Sequence, residues 1–98
     1  MAYTINPGNQ LATADAAIGV SGKPIRVHCI HMNSGASAGV VNMRNGTSAS
    51  GTIYMEINGV ANQGSTHNFS GGVLFPDGCF LDESTAPDST LVVFAVEA

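Results

Sequence analysis

Residues 39–57 carry the strongest conformational signal in the chain. Val41 and Met43 alternate with Val40, Asn42 and Arg44, and Ile53, Met55 and Ile57 alternate with Thr52, Tyr54 and Glu56. A period of two places each set on one face of a strand. The apolar sets then mark the core side, and the polar sets face solvent or a partner. Between the two runs, residues 45–51 are small or turn-forming, which suits a hairpin connection with positive φ at Gly46 or Gly51.

The same pattern recurs along the chain. Residues 24–32 form a strand that Pro24 can open, because a first residue need not donate to the ladder. Strict alternation puts Ile25, Val27 and Cys29 on one face and Arg26, His28, Ile30 and Met32 on the other. Residues 33–38 and Asn58-Gly59 read as turns, residues 60–68 as a polar loop, and residues 69–75 as an apolar run broken at Gly71-Gly72. Pro76-Asp77-Gly78 is a tight turn, residues 79–81 a short strand, and residues 82–89 an acidic loop. Residues 90–96 form a last strand apolar on both faces, so it is central in the fold or covered by a neighbour. At the other end, Asn6-Pro7-Gly8-Asn9 reads as a turn cluster, which makes residues 1–20 an N-terminal arm or extended lead-in. Seven or eight strands at intervals of about 8–12 residues predict a small antiparallel β-sandwich, jelly-roll-like or immunoglobulin-like, over residues 21–98. A chain of 98 residues holds one such domain.

Composition narrows the function. Only 10% of the residues are charged, against about 25% in ordinary soluble domains, while Gly, Ala, Ser, Thr and Asn supply nearly half the chain. Such a surface is better matched to an assembly, since interface cores are depleted of charge. The three basic residues, Lys23, Arg26 and Arg44, and a net charge of −4 argue against nucleic acid and against an anionic membrane surface. No window is long and apolar enough for a spanning helix, and the first residues lack the pattern of a signal peptide. In a cytoplasmic product, Cys29 and Cys79 are by default buried thiols; a bridge between them requires neighbouring strands.

Several motifs invite chemistry. Gly35-Ala36-Ser37-Ala38-Gly39 matches a hydrolase nucleophile elbow, but a strand rather than a helix follows it, so no catalytic residue is assigned. His28 and His31 are three apart, which on a regular strand points them to opposite faces. With His67 they are the material for a sugar- or metal-binding module, yet the spacing fixes no metal ligand set and no cofactor. Asp82, Glu83 and Asp88 lack the glycine and alternation of a calcium loop. Asn45-Gly46-Thr47 and Asn68-Phe69-Ser70 are glycosylation sequons without a secretory signal.

Residues 34–53 (Ser-Gly-Ala-Ser-Ala-Gly-Val-Val-Asn-Met-Arg-Asn-Gly-Thr-Ser-Ala-Ser-Gly-Thr-Ile), residues 73–82 (Val-Leu-Phe-Pro-Asp-Gly-Cys-Phe-Leu-Asp) and the closing Leu-Val-Val-Phe-Ala-Val run at residues 91–96 resemble small virion structural proteins of bacteriophages. The shared features are a Ser-Gly-Ala turn opening the central hairpin, an Arg-Asn-Gly turn at its tip, a Pro-x-Gly turn before a short apolar strand, and a Val-rich last strand. The resemblance spans about two thirds of the chain and implies a β-sandwich that coats or joins parts of a phage particle without catalysis. The expected role is a capsid decoration or cement protein on the outer shell, with a tail, collar or fibre component as the alternative. The implied location is the virion, assembled in the host cytoplasm. The implied partners are the major capsid protein or another virion protein and the chain itself as a homo-oligomer such as a trimer. Residues 3–11 are the segment expected to reach a neighbour.

Overall fold

The computed structural model describes residues 5–97. Eight strands follow in order: β1 (Ile5–Ala12), β2 (Ala16–Ile18), β3 (Ile25–Asn33), β4 (Val40–Asn45), β5 (Thr52–Asn58), β6 (Gly64–Phe75), β7 (Cys79–Thr85) and β8 (Ser89–Glu97). They form two antiparallel four-stranded sheets, sheet A in the order β1-β8-β3-β6 and sheet B in the order β2-β7-β4-β5. The chain is therefore a β-sandwich. Its first strand pairs with its last, its second with its seventh, its third with its sixth and its fourth with its fifth. That nesting is one long ribbon folded over at the β4–β5 hairpin and rolled into two sheets, the jelly-roll arrangement. The hairpin turn uses Gly46, at φ +135°.

The core lies between the sheets. Ile25, Val27, Ile30, Met32, Val92 and Phe94 come from sheet A, and Ile18, Val41, Met43, Ile57, Cys79 and Leu81 from sheet B, with Phe75 closing one end of β6. The alternation read in β4 holds, with Val41 and Met43 fully buried. In β3 it does not hold throughout. A bulge at His28 sets Val27 opposite Phe94 and Cys29 opposite Val93, so one extra residue is inserted and the phase shifts. Ile30 and Met32 therefore join Ile25 and Val27 inside, while Cys29 leaves the core side. A second bulge, at Tyr54, acts in the same way on β5. Ile53 pairs with Arg44 and is 46% exposed, whereas Tyr54 stacks on Phe75 with ring centroids 5.1 Å apart.

Three segments differ from the expectation. Residues 5–12 and 16–18 are edge strands of the sandwich and not an arm outside it; residues 1–4 lie outside the described residues. Pro7 is accommodated because β1 is an edge, where a missing N–H breaks no ladder on the open side. Residues 64–68 belong to β6, and Asp82 and Glu83 belong to β7. Their polar side chains concealed how far both strands extend, because polarity on an edge or an outer face does not oppose pairing. The last strand lies in the interior of sheet A, between β1 and β3, which leaves it no free edge; Val92 and Phe94 point into the core, while Leu91 and Val93 lie on the outer face.

The β1–β2 flank is closed by one side chain. Gln10 Nε2 donates to the Ala17 carbonyl at 2.9 Å, and Gly19 N–H donates to Gln10 Oε1 at 2.8 Å. The amide thus stands in for a backbone pair between edges of different sheets. Gly19 is required there: at φ +67° an added Cβ would lie 2.8 Å from Phe94 Cε2 and 3.0 Å from Ile25 Cδ1. Gly71 has φ +78° but open space around it. Gly19→Ala is expected to cost about 2–4 kcal/mol, from the left-handed backbone plus overpacking. Gly71→Ala should cost about 1–2 kcal/mol from the backbone alone. Equal shifts in the urea midpoints of the two variants would contradict this assignment.

Candidate interaction surface

The outward residues of sheet A form successive rows across its strands. Leu11, Leu91, His31 and Thr66 make one row, and Asn9, Val93, Cys29 and Asn68 the next. Beyond the bulge come Ala95, Arg26 and Leu74. The middle of this face is aliphatic and its margin carries amides and hydroxyls. Leu11 is 62% exposed, and Leu91, Val93 and Cys29 are half-buried. The four strands contain two charged residues, Arg26 and Glu97, which pair with each other at one end. Their side chains satisfy one another and leave the rest of the face without charge.

Sheet B presents a different outer surface. Arg44 bonds Asp82 at 2.9 Å and the Gly51 carbonyl at 2.8 Å, tying the hairpin tip to β7. Asn42 lies between Asp82 and Glu56 in register and is 8% exposed; its Oδ1 has no hydrogen-bond partner among the described residues. It is on the outer face as its alternation predicts, but it is covered and not open to solvent.

The residues singled out by sequence do not converge. His31 Nδ1 contacts Thr66 Oγ1 at 2.7 Å and Nε2 contacts Asn33 Oδ1 at 3.2 Å, on the outer face. His67 stands in register with Ile30, on the inner side of edge strand β6, with Nε2 3.3 Å from Ser65 Oγ. His28 occupies the bulge, its ring beside Gly72. Among the described residues no group of three or more His, Cys, Asp or Glu is placed to hold a metal ion. Ser37 is exposed in the connection between β3 and β4. Asp82 is paired with Arg44, Glu83 points along the inner row of β7, and the Asp88 carboxylate lies against Gly35, so the acidic residues are dispersed.

Both cysteines are free and lie in different sheets. Cys79 is buried, and burial pushes its thiol up to about 12. Cys29 is half-buried on the outer face, which corrects the expectation of two core thiols. The outer face itself was hidden from sequence reading: its rows depend on the His28 bulge, and only pairing with β8 reveals that. Comparison with family models, curated proteins and solved structures finds no match for the chain.

The Glu83 carboxyl is held above its ordinary range, first by desolvation and then by the nearby Asp15 carboxylate, which accepts the Glu83 N–H at 2.8 Å. A raised carboxyl favours the protonated form in the folded state. Its contribution is complete below the unfolded pKa and is lost as pH rises through the folded value. Glu83→Gln should therefore gain melting temperature relative to the native chain as pH rises from about 4 to 7. A difference independent of pH would show that Glu83 titrates alike in both states.

Proposed function

We propose that this chain is a structural protein of a bacteriophage particle, a capsid decoration or cement protein seated on the outer surface of the head shell. The observation that carries the reading is the uncharged centre of the outer face of sheet A, formed by Leu91, Val93 and Cys29, with the Arg26–Glu97 pair confined to one end. A free soluble domain ordinarily covers such a face with mixed charge. This one is built from aliphatic, amide and hydroxyl groups, the composition of an interface core and its rim. The jelly-roll order adds a weaker, fold-level argument, since viral capsid domains use it, as do lectins. The resemblance of residues 34–96 to small virion proteins points the same way.

The mechanism is passive. Each copy lays the outer face of sheet A across adjoining capsid proteins and removes apolar area from water. Repetition over symmetry-related sites turns modest contacts into tight overall retention. No bond is made or broken, and His31 and His67 hydrogen-bond within the fold.

Cys29 gives a direct test. Phage particles from cells producing the chain should carry it in many copies, with Cys29 protected from a maleimide that labels it in the free protein. Leu11→Lys places a charge on an already exposed position and should leave the fold intact. It should lower particle occupancy about tenfold or more. A chain absent from particles, or bound with Cys29 still fully reactive, contradicts the proposal.

A further inference from the structure

The two flanks of the sandwich are unlike. Gln10 closes the β1–β2 flank. On the β5–β6 flank, Met55, Phe69 and Val73 are half-buried at the margin of the core. Of the large apolar residues left exposed, Ile53, Tyr54 and Val60 lie on β5 or on the connection that follows it.

Edge strands usually carry a device that prevents pairing with another chain, such as Pro, Lys, a bulge or short length. Here β1 contains Pro7, β2 has 3 residues, and β6 is broken by the excursion at Gly71-Gly72, both at positive φ. On β5 the bulge at Tyr54 interrupts only the first half. Residues 55–58 pair with β4 without interruption, with no Pro and no Lys. Gly59 N–H donates to the Gly39 carbonyl at 2.8 Å, so the backbone groups of residue 59 point into sheet B. Alternation then aims the N–H and C=O of Glu56 and Asn58 outward, away from β4.

We propose that β5 pairs antiparallel with β5 of a second copy about a two-fold axis through Ile57. This register sets Glu56 against the other copy's Asn58, and each such pair exchanges N–H···O=C bonds in both directions. Opposed residues share a face of the joined sheet, so inward Ile57 meets inward Ile57. Charge and the bounds of the strand select the axis: centring on Asn58 would carry the pairing past the end of β5. Centring on Glu56 would oppose two carboxylates, and centring on Met55 would run into the Tyr54 bulge. Through Ile57, each Glu56 carboxylate faces an Asn58 amide, a pair already compatible within one chain, where Asn58 Nδ2 donates to Glu56 Oε1 at 3.2 Å. The same register carries exposed Val60 toward the other copy's Tyr54. On the neighbouring edge, residues 64–68 of β6 are uncharged and rich in hydrogen-bonding side chains, so they place no repulsion along the seam. The interface is isologous and closes at two copies. It uses a different surface from the sheet A face, so it stands or falls separately from the virion reading.

Light scattering and sedimentation of the free chain over a range of concentrations test the pairing. The native chain should form a dimer. Asn58→Asp sets a carboxylate opposite Glu56 in both symmetric pairs and should weaken the dimer about tenfold. Combining Asn58→Asp with Glu56→Lys should restore it, which separates loss of pairing from loss of folding. A native chain that stays monomeric overturns the proposal. So does an oligomer insensitive to Asn58→Asp, or a loss that the double variant fails to restore.

Discussion

The bulge at His28 is the constraint on which both faces of sheet A depend. One extra residue between Val27 and Cys29 changes the phase of β3, and with it the destination of every later side chain in the strand. Ile25 and Val27 before the bulge, and Ile30 and Met32 after it, reach the same core. Cys29 and His31 turn outward together. Without the phase change, a regular strand would bury either the first apolar pair or the second. Each of these side chains contributes on the order of 1.5–3 kcal/mol through burial, so the insertion decides whether sheet A has a continuous inner face.

The remaining architecture follows from a folded ribbon whose two flanks are finished differently. At the β1–β2 flank, Gln10 links the Ala17 carbonyl and the Gly19 N–H, and Gly19 admits Phe94 and Ile25 to the space beneath. At the β5–β6 flank, an aromatic stack of Tyr54 on Phe75 covers the top of the core, and Met55, Phe69 and Val73 stay at its margin. The outer faces are finished differently too. Arg44 and Asp82 brace sheet B across β4 and β7, whereas sheet A offers an uncharged aliphatic centre. The charged groups of Arg44 and Asp82 are thus satisfied within the chain, while the centre of sheet A leaves aliphatic groups facing outward.

Much of the sandwich was legible in the sequence. Val41, Met43 and Ile57 sit where their alternation placed them, and residues 90–96, read as central in the fold or covered by a neighbour, form an interior strand of sheet A. What was hidden depends on pairing between distant segments. Bulges at His28 and Tyr54 exist only relative to the strands they face, so strict alternation misassigned Cys29 and Ile53. The Pro7-Gly8 pair concealed β1, because a turn signal and an edge strand draw on the same residues. Asp82 looked like loop until its partner, 38 residues away, was in place across β4 and β7. The outer face of sheet A was illegible for the same reason: its rows join four strands spread from β1 to β8.

Deleting His28 tests the account most directly, with deletion of His31 as its control. If His28 is the inserted residue, its removal leaves Val27 inward, Cys29 outward and Ile30 inward by plain alternation. The variant should melt cooperatively near the native temperature and keep Cys29 reactive to a thiol reagent. Deleting His31 instead turns Met32 out of the core and should abolish the cooperative transition. Equal collapse of the two variants would contradict the claim that one bulged residue sets the inner and outer faces of the sheet.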